Sequence, residues 1–289
     1  MRALIVGCGY IGQALGLELV RMGHAVVGLR RGPEAAEHLR ALGIEPLIGD
    51  LTSPGEWMDR AGAFDWVINC VASSRGGLEE YERVYLEGTR SLLAWLAPRP
   101  PSRLVYTSST SVYGQVDGSE VTESDPTEPG TSTGQILVRT EALLRTAAAS
   151  GFPTTILRVA GIYGPDRGYW IKQFLQDVAR LDGDGGRFLN MVHRDDVVGA
   201  IIAALERGQS GAVYNVVDDE PVTQLELFRW LSDRLGRPLP ASAPTDATAL
   251  RKRGLTSKRV LNRRLRTELG YVLRYPSFRE GYQSLLSEV

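Results

Sequence analysis

The sequence predicts an α/β fold: a parallel sheet wound on both faces by helices, followed by a smaller C-terminal lobe. Three observations lead there. Six short apolar runs alternate with amphipathic helices, a glycine loop GCGYIG joins the first run to the first helix, and the pattern loosens after Pro165. Strands separated by helices of this length run parallel, and parallel strands are covered on both faces, so they read as unbroken apolar runs.

Each element has its own signal. ALIVG at 3–7 is a buried strand ending in glycine, and Leu15, Leu19 and Met22 follow at helical spacing until Gly23 closes the helix. AVVGL at 25–29 is the second strand, Pro33 opens a helix ending near Gly43, and EPLIGDL carries the third strand. Ser53-Pro54-Gly55-Glu56 has the form of a capping box with proline at the first helical position. WVINCVA at 66–72 is the fourth strand, 78–96 a long helix, and RLVYTSS at 103–109 the fifth strand. In TSTGQILVRTEALL at 131–144, Ile136, Leu137, Thr140, Leu143 and Leu144 form one helical face, and 154–164 is the sixth strand. Beyond it, FLNMV at 188–192 and AVYNVV at 212–217 are strand-like, and Thr223 with Glu226 forms a second capping box. These boundaries divide the chain into a dinucleotide-binding domain at 1–165, to which 188–217 returns, and a substrate lobe at 166–289.

Bulk composition narrows the function. The formal net charge of −1 sets up no field that would draw nucleic acid or an anionic membrane. No apolar run approaches a transmembrane length, and the run before Gly7 is too short for a signal-peptide core. Cys8 and Cys70 are the only cysteines, so no disulfide framework is available, and a reduced, cytoplasmic protein is expected. Each thiol reads better as a small buried hydrophobe than as half of a redox pair. Three histidines and two cysteines offer no metal-ligand spacing.

Gly7-Cys8-Gly9-Tyr10-Ile11-Gly12 fits G-x-G-x-x-G in its diagnostic place, between a buried strand and an amphipathic helix. The first glycine permits the turn, the second lets a pyrophosphate approach the backbone, and the third lets helix and strand pack closely. Free N–H groups at the helix start, through Tyr10 and Ile11, would hold the phosphates. The sheet is therefore expected to be of the Rossmann type. About twenty residues on, where an acid would grip a ribose 2′-hydroxyl, stand Arg30 and Arg31 with no carboxylate between strand and Gly32. Two guanidinium groups favour a 2′-phosphate, so NADP is expected, with NAD as the alternative.

A series of motifs then accumulates in order: Asp50-Leu51, Asn69-Cys70-Val71-Ala72, YLEGT at 85–89, TSSTSVYG at 107–114, Arg158 before YGP at 163–165, VHRDDV at 192–197, and YNV at 214–216. Together they resemble the extended short-chain dehydrogenase/reductases, the NAD-dependent epimerase/dehydratase family, over nearly the whole chain. The resemblance implies a cofactor cradle that includes Asp50, Leu51 and Ala72. It also implies an active site built from a Ser or Thr after the fifth strand and a Tyr-x-x-x-Lys on the next helix. Ser109 matches the hydroxyl position, with Thr110 beside it. With Glu141 as the anchor that follows the motif, Thr133 stands at the tyrosine position and Leu137 at the lysine position. No Tyr or Lys occurs between Gly114 and Tyr163, so no change of register restores the pair. A threonine hydroxyl can orient a substrate, but it does not ionise near neutral pH as the tyrosine–lysine pair does. The chain thus resembles atypical members that keep the cofactor fold and lack the usual proton donor.

Candidate catalytic residues are Ser109, Thr110, Tyr113 and Thr133. Tyr113 is the nearest phenol in sequence; Tyr81, Tyr85, Tyr163 and Tyr169 are further aromatic candidates for the cleft. His193 sits at a strand-to-helix junction, where it would fix the junction or titrate. The basic run at 251–266 reads as a solvated helix face or, by resemblance, as a clamp for a diphosphate on a nucleotide-linked substrate. Two functions follow. One is an oxidoreductase or epimerase acting on a small carbonyl or hydroxyl substrate with a non-standard proton donor. The other is a non-catalytic NADP(H)-binding redox sensor. Neither involves nucleic acid or membrane, and the resemblance implies a homodimer through the long helices.

Overall fold

The computed structural model describes residues 1–73, 76–243 and 256–286. A seven-stranded parallel sheet forms its centre. In chain order its strands are β1 (Arg2–Val6), β2 (Ala25–Arg30), β3 (Glu45–Ile48), β4 (Trp66–Asn69), β5 (Arg103–Ser109), β6 (Thr154–Val159) and β7 (Val213–Val216). They lie side by side as β3-β2-β1-β4-β5-β6-β7. The order reverses between β1 and β4, and a crevice opens there at the C-terminal ends of the strands. β1 is in register with both neighbours, Ile5 opposite Gly28 of β2 and Ile68 of β4.

Successive residues of β1 face opposite sides. Ala3 and Ile5 join a core with Leu15 and Leu19, whereas Leu4 and Val6 join one with Leu92 and Leu96. All four strand residues are essentially inaccessible, as expected of a sheet covered twice. Helices α1 (Tyr10–Arg21), α2 (Ala36–Ala41) and α3 (Glu56–Arg60) connect the first four strands. Next comes one long helix, α4, which is α-helical over Leu78–Tyr81, π-helical over Glu82–Glu87 and α-helical again over Gly88–Leu96. Helix α5 (Ser132–Ala149) follows β5, α6 (Tyr169–Leu175) follows β6, and α7 (Arg194–Arg207) precedes β7. Helices α8 (Gln224–Leu235), α9 (Arg263–Thr267) and α10 (Phe278–Leu286) complete the chain. A separate core of Tyr163, Phe174, Leu189, Phe228, Leu231 and Phe278 lies in the C-terminal half. No described helix is long and apolar enough to cross a membrane.

Three local expectations are corrected. The 53–56 capping box does not form: α3 begins at Glu56 with Gly55 as its uncapped N-cap, and Ser53 instead bridges back to Asp50. The sixth apolar run breaks at Ala160, because residues 161–163 leave the sheet to pair with Met191–His193. FLNMV likewise splits into Phe188–Leu189 and Met191–His193, neither of them in the central sheet. By contrast, Thr223 and Glu226 do form the reciprocal capping box of α8.

Candidate functional site

A cleft of about 640 Å³ opens where the sheet order reverses. Its first wall is the glycine loop. Gly7 has φ +79°, and a Cβ there would lie 2.7 Å from the Val71 backbone, so no other residue fits. A Cβ at Gly12 would strike Ile5 at 2.9 Å, which is the close helix–strand contact the motif requires. No side chain caps α1, and its first intrahelical bond is from Gln13 N to Gly9 O. The amides of Tyr10, Ile11 and Gly12 therefore remain donors at the positive end of the helix. Arg30 and Arg31 line the cleft beyond the loop, with Arg30 Nη1 donating to Cys8 O at 3.3 Å. Asp50, Leu51 and Ala72 line it as well. The Asp50 carboxylate is folded into a turn, accepting from Thr52 N at 2.9 Å and Thr52 Oγ1 at 2.8 Å.

One acidic cleft residue had no counterpart in the sequence reading. Glu34 lies just past the two arginines, and its carboxylate folds back over Gly32, where it would overlap any Cβ. An acid is thus present in the cleft beside Arg30 and Arg31, delivered from the turn instead of the strand end.

The opposite half of the cleft is assembled from β5, α4 and α5. Ser109 lines it, half-buried, with its Oγ accepting from Ser111 N at 3.2 Å. Thr131 caps α5 by accepting from Gly134 N at 3.1 Å, which sets the helix so that Thr133 and Leu137, one turn apart, both face the cleft. Neither offers an ionisable group. Tyr81 and Tyr85 line the facing wall on α4, their rings 4.9 Å apart, and the Tyr85 hydroxyl accepts from Ser73 N at 3.2 Å. Tyr85 lies within the π-helical turn and Tyr81 immediately precedes it, a feature frequently found at functional sites. Thr256 also reaches the cleft, although nothing in its sequence context marks it.

Other candidates lie outside the cleft, apart from Tyr113 and Cys70, which border it. Thr110 is buried and is not among the lining residues. Tyr113 is fully buried: its hydroxyl accepts from Arg158 Nη1 at 2.8 Å and donates to Asn215 Oδ1 at 2.8 Å. Burial raises the pKa of that phenol, Arg158 opposing, and a phenol so engaged holds the sheet end together. Tyr163 is buried against Tyr282, and Tyr169 is exposed on α6 outside the cleft. His193 caps α7, its Nδ1 accepting from Asp195 N at 3.2 Å. Burial pulls its pKa down to about 4, with Asp195 opposing, so the ring is neutral near pH 7. Asp196 gathers the amides of Arg274 and Tyr275 and the hydroxyl of Tyr271. Burial pushes the Cys8 thiol up to about 12 and raises Cys70 too, which disfavours the thiolate in both. In the basic run, Arg259, Arg264 and Arg266 pair with Glu120, Glu268 and Asp219, and none lines the cleft. Residues 251–255 lie outside the described residues.

The chain matches the model of the NAD dependent epimerase/dehydratase family over residues 3–217. It is 32% identical over 220 residues to Protein YeeZ of Escherichia coli (strain K12), spanning 74% of this chain and 77% of that one. It is 30% identical over 235 residues to the 4-hydroxy-2-methyl-3-oxo-4-farnesyl-3,4-dihydroquinoline-1-oxide ketoreductase of Stigmatella aurantiaca, spanning 77% and 70% of the two chains. The solved structure of a putative NAD-dependent epimerase/dehydratase from Methylobacillus flagellatus superposes with a TM-score of 0.77 at 31% identity, covering 99% of this chain and 98% of that one. With its glycine loop, its strand order and these matches, the chain belongs to the NAD dependent epimerase/dehydratase family.

Proposed function

We propose that this protein is an NAD(P)-dependent oxidoreductase that acts on a small carbonyl or hydroxyl compound. One observation carries the reading: Ser109 and the uncapped glycine-loop helix line a single cleft. The glycine cradle fits a dinucleotide diphosphate, with the α1 amides as donors, Arg30, Arg31 and Glu34 at the ribose end, and Asp50, Leu51 and Ala72 beside the adenine. When bound, a nicotinamide supplies or accepts a hydride. Ser109 hydrogen-bonds the substrate oxygen, which stabilises the charge that develops there. Thr133 orients the substrate, flanked by Tyr81, Tyr85 and Leu137. The pairing of Arg259, Arg264 and Arg266 with acids supports a small substrate over a nucleotide-linked one. Residues 1–165 with 188–217 serve as the cofactor half and the remainder as the substrate lobe. The protein works in a reducing cytoplasm, which keeps Cys8 and Cys70 as thiols.

A second reading is favoured by Thr133 and Leu137, which present no ionisable group to the cleft. It is a non-catalytic NADP(H) sensor. Parallel fluorescence titrations of cofactor-stripped protein with NADPH and NADH, followed by a screen of carbonyl compounds for NADPH oxidation, separate the two. The enzyme reading expects turnover that falls at least about a hundredfold in Ser109→Ala. Tight binding without turnover by any carbonyl leaves the sensor.

A further inference from the structure

We propose that Arg167 is a second phosphate-binding element, gripping the diphosphate of the bound dinucleotide; this rests on the cofactor reading above. Tyr10, the first residue of α1, donates its hydroxyl to Pro165 O at 2.9 Å across 155 positions of sequence. That bond pins the turn after residues 161–163 to the start of α1, the helix of the glycine loop. The turn itself is closed by two backbone bonds, Gly164 N to Arg167 O at 2.8 Å and Arg167 N to Gly164 O at 3.0 Å. Asp166 takes a left-handed φ of 61° to make it.

Two guanidinium groups stand over the Tyr10 ring, Arg167 at 5.1 Å and Arg194 at 5.4 Å from its centre. Their electrostatic situations differ. Arg194 is neutralised by Asp195 at 2.9 Å, whereas Arg167 forms no ion pair among the described residues and lines the cleft. An arginine is thus held by a ring and a closed turn in the same cleft that Tyr10 and Ile11 line. Its planar fork suits a diphosphate, and it would add a formal charge to donors that otherwise carry only partial ones.

The test titrates wild type, Arg167→Gln and Arg167→Lys with three probes. NADPH carries both the diphosphate and the 2′-phosphate, ADP-ribose only the diphosphate, and 2′-AMP only the 2′-phosphate. Arg167→Gln is expected to weaken NADPH and ADP-ribose about tenfold and to leave 2′-AMP unchanged, with Arg167→Lys in between. Arg30→Gln gives the reciprocal pattern, losing 2′-AMP and sparing ADP-ribose. Equal weakening of all three probes by Arg167→Gln, or weakening of none, overturns the assignment. Failure of the wild type to bind any of them removes the cofactor reading itself, and the assignment with it.

Discussion

Arg158 and Glu141 form a two-pronged buried ion pair, with Nη2 2.7 Å and Nε 3.2 Å from the same carboxylate oxygen and Nε 3.1 Å from the other. The side chains are 3% and 0% exposed. Ser108 donates to the same carboxylate at 2.6 Å, and Arg158 passes the linkage on to Tyr113 and thence Asn215. The pair therefore ties α5 to β5, β6 and β7 at the end where Ser109 must be held. Glu141→Ala leaves a buried cation unpaired, and urea unfolding should show a loss of about 3–5 kcal/mol. A loss under about 1 kcal/mol would mean that the network contributes little.

If the cleft holds NAD(P) as proposed, cofactor choice would depend on the balance between Glu34 and Arg30, which both line it. The Glu34 carboxylate repels a 2′-phosphate and accepts from a 2′-hydroxyl, while Arg30 does the reverse. Glu34→Gln should therefore shift the ratio of NADPH to NADH affinity roughly tenfold toward NADPH. Arg30→Gln should shift it the other way. An unchanged ratio in both variants would show that the cleft reads no 2′ group.

Asp218 is a buried carboxyl group with no well-formed hydrogen bond to either oxygen. Burial drives its pKa well above the ordinary carboxylate range, the Glu220 amide only partly opposing. Such a group costs stability increasingly as pH rises from the unfolded carboxyl's pKa toward its own. Asp218→Asn should raise the stability at pH 7 by about 1–3 kcal/mol, several degrees in Tm, and flatten its pH dependence. A lower Tm in differential scanning calorimetry would refute this.

Lys258 is the buried counterpart, its Nζ donating to Tyr113 O at 2.8 Å. Burial lowers its pKa to about 8. Between there and the unfolded value near 10.4 the unfolded chain binds more protons, so stability rises with pH across that window. Relative to Lys258→Met, the wild type should gain up to about 3 kcal/mol between pH 8 and 10.5. A pH-independent difference between the two unfolding series would show that Lys258 is solvated.

Much of this protein was legible in the sequence because the relevant physics is local. The apolar runs of β1 to β6, the GCGYIG turn and the Thr223–Glu226 cap each depend on residues a few positions apart. The Gly7 turn, for instance, announces itself because only glycine tolerates both its positive φ and the Val71 backbone behind it. The absence of a Tyr and Lys from 131–144 was equally plain, and the structure adds that Thr133 and Leu137 both face the cleft. Local form could also mislead: Ser53 and Glu56 have capping-box spacing, but Ser53 is drawn into the bridge with Asp50.

Tertiary structure alone decided the rest. That Glu34 folds over Gly32, that Arg167 is held over Tyr10 and that Thr256 enters the cleft follow from loop paths, which no periodicity encodes. That the Tyr113 hydroxyl is engaged at the back of the cleft depends on partners 45 and 102 positions away. Secondary structure arises from repeating, short-range constraints and so can be read along the chain. A binding or catalytic role depends on which unsatisfied groups end up facing one another, and that is settled only when distant segments have packed and paired off the others.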